Sequence, residues 1–278
     1  MTDVPQIVLN DGRTIPQLGL GVWQVEPQDA VDVVLNALDV GYRHIDTAQM
    51  YGNEREVGEA VRKSGIRRDE VFVTSKLSNG AHAPDAVGPA FERTLEALDL
   101  GHVDLFLIHW PMPKVGDFVE TWRAMDEILA SGLARSIGVS NFQAAHLHRL
   151  LAETSVVPVV NQVEAHPYLT QEPLRAVHAE LGIATEAWSP IARGKVAHDP
   201  VIGAIAERVG RTPVQVVLRW HLQRGDIVFP KTTSRARMEE NFDVLGFALE
   251  DADMATISGL DRGERLGPDP DTFHAVPS

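Results

Sequence analysis

Short apolar runs recur along the chain, and each is followed by a stretch whose apolar positions fall three and four apart. The runs are Leu18–Val22, Tyr42–Ile45, Val71–Ser75, Val103–Ile108, Ala134–Val139, Val157–Asn161, Ile183–Ala187 and Ile227–Phe229. Their length and β-branched content predict strands. Between them, Val57, Ala60, Val61 and Ser64 share one helical face; Val87, Ala90, Phe91, Leu95 and Leu98 share another; Phe118, Trp122, Met125 and Leu129 share a third. Start and stop signals agree with helices. Asn53 with Glu56 has capping-box spacing, and Thr212-Pro213-Val214-Gln215 combines an N-cap, a first-turn proline and a third-position Gln. Gly132, Gly182, Gly210 and Gly225 stand where helices would end. Ahead of all this, Ile7-Val8-Leu9 and Thr14-Ile15 flank Asn10-Asp11-Gly12, the pattern of a tight hairpin.

Eight strand–helix units within 278 residues predict an α/β fold, a (β/α)8 TIM barrel with an N-terminal β-hairpin. A doubly wound sheet is the rival. Gly19-Leu20-Gly21-Val22-Trp23-Gln24 lacks the third glycine of a dinucleotide fingerprint, and no acidic residue follows at the expected distance. No linker or short repeat interrupts the alternation, so residues 1–278 are expected to form a single domain. The tail Arg262–Ser278, with Pro268, Pro270 and Pro277, reads as a short loop draped over the barrel.

Composition narrows the partners. At 44% hydrophobic residues the chain can bury a core, and at a net charge of −14 it is not expected to bind nucleic acid or an anionic membrane. It has no Cys, which excludes disulfides and thiolate sites. Its 11 His residues show no His-Glu-x-x-His pattern, so no metal site is expected. No secretory signal or membrane-length apolar run is visible, and the expected location is the cytoplasm. A monomer is the default.

In a barrel, functional side chains gather at the C-terminal ends of strands. Read in order, those ends give Trp23, Asp46 with Tyr51, Lys76, His109 with Trp110, Ser140 with Asn141, Gln162, Trp188 and Lys231. Each alone is more often a loop or packing residue. Their convergence on one rim suggests a carbonyl reductase, because a phenol becomes a useful proton donor when a cation lies beside it. Lys231-Thr232-Thr233-Ser234-Arg235-Ala236-Arg237 adds a basic, hydroxyl-rich cluster to an acidic chain, suited to phosphate.

At these residues the chain resembles the aldo-keto reductase family. The matching segments are Gly41–Ala48, Tyr51–Glu54, Val103-Asp104-Leu105 through His109-Trp110-Pro111, Ile137–Phe142, Asn161–Glu164 with His166-Pro167, and Phe229-Pro230-Lys231. Within the family the look is that of the short-tailed bacterial 2,5-diketo-D-gluconic acid reductases. The resemblance implies NADPH-dependent reduction of a small carbonyl. Tyr51 would be the general acid, Lys76 paired with Asp46 would depress its pKa, and His109 would orient the carbonyl. Ser140, Asn141 and Gln162 would hold the nicotinamide amide, and Trp188 would stack on its ring. Lys231, Thr232, Thr233 and Arg237 would face the 2′-phosphate and adenosine, with Glu240 and Asn241 at adenine. Trp23 and Trp110 would wall the substrate.

Two positions depart from the family pattern: Ser78, where many relatives carry Trp, and Ala165, where the pattern has Leu. Loss of bulk at the first should widen the mouth. Two other readings are weighed. Glu164 and Glu186 on adjacent strands could be a glycosidase pair, and a non-catalytic NADPH-binding regulatory subunit would keep the cofactor without turnover.

Overall fold

A computed structural model describes residues 4–276. It opens with an antiparallel hairpin of β1 (Gln6–Val8) and β2 (Thr14–Pro16), in which Ile7 pairs with Ile15. Eight parallel strands follow, each hydrogen-bonded to its neighbour in chain order: β3 (Leu20–Gly21), β4 (His44–Asp46), β5 (Phe72–Leu77), β6 (Val103–Ile108), β7 (Ala134–Ser140), β8 (Val160–Glu164), β9 (Ala184–Trp188) and β10 (Ile227–Val228). Gly19 donates to the Val228 carbonyl at 2.8 Å and Val228 donates back to Gln17 at 2.9 Å, so the last strand meets the first and the barrel closes.

Glycine is required at that seam. A Cβ at Gly19 would fall 2.8 Å from the His44 ring, and one at Gly21 would fall 2.8 Å from the Phe229 carbonyl. The Gly19-Leu20-Gly21 pattern therefore serves barrel closure and not a phosphate-binding turn, which removes the doubly wound rival.

The helices are α1 (Pro27–Val40), α2 (Glu54–Lys63), α3 (Pro84–Leu98), α4 (Phe118–Ser131), α5 (Ala144–Glu153), α6 (Glu172–Leu181), α7 (Pro200–Val209), α8 (Pro213–Gln223), α9 (Arg235–Phe242) and α10 (Asp251–Ser258). Alternation along β6 sorts the core into layers. Leu105 and Leu107 join Leu9, Ile15, Val160 and Ile227, a cluster that includes the hairpin's Leu9 and Ile15. Phe106 and Ile108 instead belong to the large cluster shared with the helices. A further cluster around Trp220, Ile202, Ile205 and Ile257 ties α7 and α10 to α8.

Three local expectations are corrected. The strand expected at Val157–Asn161 runs from Val160 to Glu164; Pro158, which has no amide to donate, lies before it. Gln162 and Glu164 thus lie within the strand. Asn53 occupies the N-cap position of α2, but its side chain does not cap the helix. Its amide donates to the Val22 and Val25 carbonyls at 3.0 Å each and its oxygen accepts from Thr47 at 2.8 Å, so it fastens β3 to the turn after β4. Gly225 follows the C-cap of α8, which is Arg224. The Thr212–Gln215 capping box forms as expected, and Gly132, Gly182 and Gly210 end their helices in the left-handed region.

The tail lies across the barrel's C-terminal mouth. Leu266 and Gly267 donate to Glu164, Phe273 packs against Trp110, and Asn79 donates to the Ala275 carbonyl. Met1–Asp3, Pro277 and Ser278 lie outside the described residues. Among the described residues no helix is long and apolar enough to cross a membrane.

Gly58 tests the packing of this shell. A Cβ there would come closer than 3.0 Å to the backbone carbonyl of Leu98, where α3 ends. Overpacking of this kind costs about 1–3 kcal/mol. Gly58→Ala is expected to lower the urea midpoint accordingly, and an unchanged midpoint would contradict the close α2–α3 approach.

Candidate active site

The fold brings one charged group from each of two neighbouring strands into a dry space. Asp46 ends β4 and Lys76 lies near the end of β5; they are 1% and 0% exposed. The Lys76 ammonium donates to Asp46 Oδ1 at 2.7 Å, to the Thr47 carbonyl at 2.9 Å and to the Tyr51 hydroxyl at 3.4 Å. Tyr51 reaches this point because the chain turns through a short 3-10 segment, Gln49–Tyr51, directly after β4. Gly52 ends that turn at φ 70°, a left-handed conformation that glycine adopts without strain.

Electrostatics fix the charge states. Burial works against the Lys76 charge, but Asp46 and Tyr51 outweigh it and hold the ammonium's pKa above its ordinary value. Burial pushes the Tyr51 phenol up, and Lys76 pulls it down without overcoming burial. The influence of Lys76 on the phenol is thus in the expected direction, with burial opposing it. The lysine lowers it, yet the net shift is upward, because a phenolate in this enclosure loses more hydration than one ammonium restores. Both groups are therefore protonated near neutral pH.

His109 follows β6 directly and packs edge-on against Tyr51, with ring centroids 5.8 Å apart. Burial, Lys76 and His82 all push its pKa well below the ordinary value, so the ring is neutral. Its Nδ1 is buried without a partner among the described residues.

Ser140, Asn141, Gln162 and Trp188 are linked side by side on the next three strand ends. Ser140 donates to the Gln162 carbonyl at 2.8 Å; Asn141 donates to the His109 carbonyl at 2.9 Å; Trp188 Nε1 donates to Asn141 Oδ1 at 2.9 Å. Asn141 holds its place at φ 64°. Gln162 faces inward: its amide nitrogen donates to Asp46 Oδ2 and to Glu186 Oε2, both at 2.8 Å. Its side-chain oxygen meets no hydrogen-bond donor among the described residues.

At the mouth, Trp23 is 44% exposed and Trp110 only 8%, since Phe273 of the tail packs against it in a tilted contact with ring centroids 4.4 Å apart. Ser78 begins a 3-10 turn, and its amide is held by Gln49 Oε1 at 2.7 Å. The next residues meet the tail: Asn79 binds Ala275, and Gly80 lies against Val276. The tail thus covers ground beside Ser78. Ala165 is fully buried.

The basic cluster divides. Arg235 pairs with Asp39 at 2.6 Å and Glu239 at 3.0 Å, so its charge is already answered on an exposed helix face. Lys231 and Arg237 are exposed, and neither forms an ion pair among the described residues. Thr232 is nearly buried, and its hydroxyl accepts from the Ser234 amide at 3.1 Å, while Ser234 caps α9. Thr233 is exposed beside them. On α9, Glu240 accepts from Thr212 at 2.7 Å, and Asn241 is buried on the same helix. Uncommitted cations beside hydroxyls suit a phosphate, and an uncommitted amide oxygen beside Asn141 suits a carboxamide.

Sequence reasoning missed His44 and read Glu164 and Glu186 only as a possible glycosidase pair. His44 lies at the barrel centre with Nε2 3.1 Å from Thr74 Oγ1. Glu186 braces Gln162, and Glu164 binds the tail; both carboxylates are fully buried, which leaves neither placed to flank a sugar in an open cleft. Period-two alternation already put Glu164 with Gln162 and Glu186 with Trp188 on one side of their strands, but not what each carboxylate binds.

Residues 17–262 match the sequence profile of the aldo/keto reductase family. An aldo-keto reductase of Mycolicibacterium smegmatis is 51% identical over 270 residues, 97% of this chain and 98% of that protein. Methylglyoxal reductase DkgA of Escherichia coli K12 is 46% identical over 98% of this chain and 99% of that protein. A crystal structure of a Gox0644 mutant in complex with NADPH superposes with a TM-score of 0.93 at 46% identity, covering 97% of this chain and 98% of that one.

Glu186 makes the electrostatics measurable. Burial first, then Asp46, raises its pKa from 4.5 to about 8. A carboxyl whose folded pKa is raised stabilises the fold below its unfolded value, and that contribution is lost as pH climbs towards the folded value. Glu186→Gln removes this dependence. The melting temperature of the variant relative to the parent is therefore expected to rise between pH 5 and pH 8, and a difference independent of pH would contradict the assignment.

Proposed function

The chain belongs to the aldo/keto reductase family, and on that premise we propose that it reduces small polar aldehydes and ketones, such as methylglyoxal-like dicarbonyls and keto sugar acids, with Tyr51 as general acid. At the coarser level it is an oxidoreductase of the aldo-keto reductase type that uses NADPH on carbonyl groups. We take one barrel domain to carry the activity. The observation that carries the finer reading is the buried ammonium of Lys76, held at once by Asp46 and by the Tyr51 hydroxyl.

The residues present fit the cofactor. Lys231 and Arg237 offer unpaired cations to a 2′-phosphate, with Thr232 and Thr233 beside them and Glu240 and Asn241 on the adjoining helix. Ser140, Asn141 and Gln162 offer polar groups to a carboxamide next to the Trp188 indole. When bound, NADPH supplies a hydride to the carbonyl carbon.

The chain's own groups then handle the oxygen. His109, kept neutral by its surroundings, can donate one hydrogen bond to the carbonyl oxygen and so fix its direction. Reduction places negative charge on that oxygen. The Tyr51 hydroxyl is protonated because its pKa is raised, and it gives up its proton as the alkoxide forms. Lys76 stabilises the phenolate left behind, and Asp46 keeps Lys76 charged and in place. The enclosed wall of Trp110 and Phe273, the polar His109 and the partly exposed Trp23 favour small carbonyls.

Tyr51→Phe keeps the ring and removes the acid. General acid catalysis is worth roughly 10²–10⁴ in rate, so turnover of methylglyoxal, followed by NADPH absorbance, should fall by that order while NADPH affinity stays within about twofold of the parent. Near-parental turnover would sink the role of Tyr51. Tight NADPH binding by the parent protein with no turnover on any small carbonyl would revive the regulatory-subunit reading.

A further inference from the structure

The indole of Trp188 is held at both ends of its long axis, and one of the holders comes from the tail. At the near end its Nε1 donates to Asn141 Oδ1 at 2.9 Å. At the far end there is room only for a glycine: a Cβ on Gly267 would fall inside 3.0 Å of Trp188 Cη2 and 3.1 Å from Glu164 Oε2. The backbone of Gly267 therefore lies flush against the ring edge. It is kept there by Glu164, which is Trp188's partner in the β8–β9 register. Glu164 Oε1 accepts from the Leu266 amide at 2.6 Å and from His166 at 3.1 Å, and Oε2 accepts from the Gly267 amide at 2.9 Å. The carboxylate has no exposure, so these charge-assisted bonds act without competition from water.

This is an unusual use of a buried charge. Its ionised form is stabilised by His166 and, beside it, by two successive main-chain amides of the tail, groups that are not part of the barrel's strands. Removing the carboxylate would leave the barrel's own ladder intact and release the tail at Leu266–Gly267, while Phe273 and Ala275 still hold its end. Pro268 then confines Gly267 to extended backbone, which an alanine can also adopt. The glycine is demanded by the ring and not by the chain's conformation.

We infer that Glu164 and Gly267 are positioning residues: the Glu164 carboxylate clasps the tail at Leu266–Gly267, and the clasped Gly267 fixes the plane of Trp188 for the nicotinamide. The inference rests on the proposed stacking role of Trp188, and neither residue need touch cofactor or substrate.

Gly267→Ala tests it, because the change lies on the tail and leaves the barrel's ladder untouched. Two readouts separate the clasp from the stacking. In the cofactor-free protein, the tryptophan emission of Gly267→Ala should differ from the parent, and the difference should vanish when Trp188→Tyr is made in both, since Tyr lacks the atom that the new methyl strikes. Calorimetric titration should then show NADP+ bound roughly tenfold more weakly by Gly267→Ala, the order of one misaligned aromatic contact. Adenosine 2′,5′-bisphosphate, which has no nicotinamide, should bind as it does to the parent. Glu164→Gln should give the same split if it folds. Unchanged emission overturns the clasp. Changed emission with equal NADP+ affinity, or with NADP+ and the bisphosphate weakened alike, overturns the positioning role. If Trp188→Ala itself leaves NADP+ affinity intact, the stacking reading fails instead, and with it the functional half of the inference.

Discussion

The site depends on one buried ion pair. Moving an ammonium and a carboxylate out of water costs several kcal/mol each, and packed hydrophobic residues of similar size are often as stable or more so. Lys76 and Asp46 are nonetheless buried at the centre of the rim, with every donor of the ammonium directed at a named oxygen. Such an arrangement is poor value as structure alone. It makes chemical sense if the lysine's charge is needed beside Tyr51, where it partly offsets the rise that burial imposes on the phenol.

The second carboxylate layer keeps that charge balance in order. Gln162 bridges Asp46 and Glu186 through a single amide nitrogen. Two anions so close would compete for the same cation, and the raised pKa of Glu186 resolves the conflict by leaving that carboxyl its proton. Asp46 then remains the anion that Lys76 answers. Burial has the opposite effect on the imidazoles: His44 is lowered to about 4, and His109 is also held neutral. Beside Tyr51 one strong charge pair thus stands among groups, Glu186, His44 and His109, kept uncharged by the same dry surroundings.

Much of this was legible from sequence because a barrel converts order along the chain into position around a ring. Asp46, Lys76, Ser140 and Trp188 each end or nearly end a strand, so their convergence followed once the strands were placed. What was not legible depended on contacts far apart in sequence. Gln162 meets Asp46 across 116 positions, and Glu164 meets Leu266 across 102. Neither partner could be inferred from local spacing, and so Gln162 read only as a ligand group and Glu164 as half of a catalytic pair. Asn53 misled for the same reason. It has the chemistry of an N-cap, but its side-chain oxygen accepts from Thr47, while the Val22 and Val25 carbonyls of a distant strand end hold its amide nitrogen and fix that orientation. Gly19 and Gly21 did not complete a dinucleotide fingerprint, but the sequence alone offered no other reason for them; the seam between Val228 and Leu18 supplies it, since close approach demands glycine there.

The most direct test of the central claim is the titration of Tyr51 itself. The chain has three tyrosines, Tyr42, Tyr51 and Tyr168, so ring-carbon NMR of protein labelled at the tyrosine Cζ can follow each one, with Tyr51→Phe giving the assignment. The account predicts that Tyr51 titrates above the ordinary phenol value in the parent protein, and higher still in Lys76→Met, because the lysine is the main influence pulling it down. A Tyr51 titration that does not move when Lys76 is replaced would contradict it.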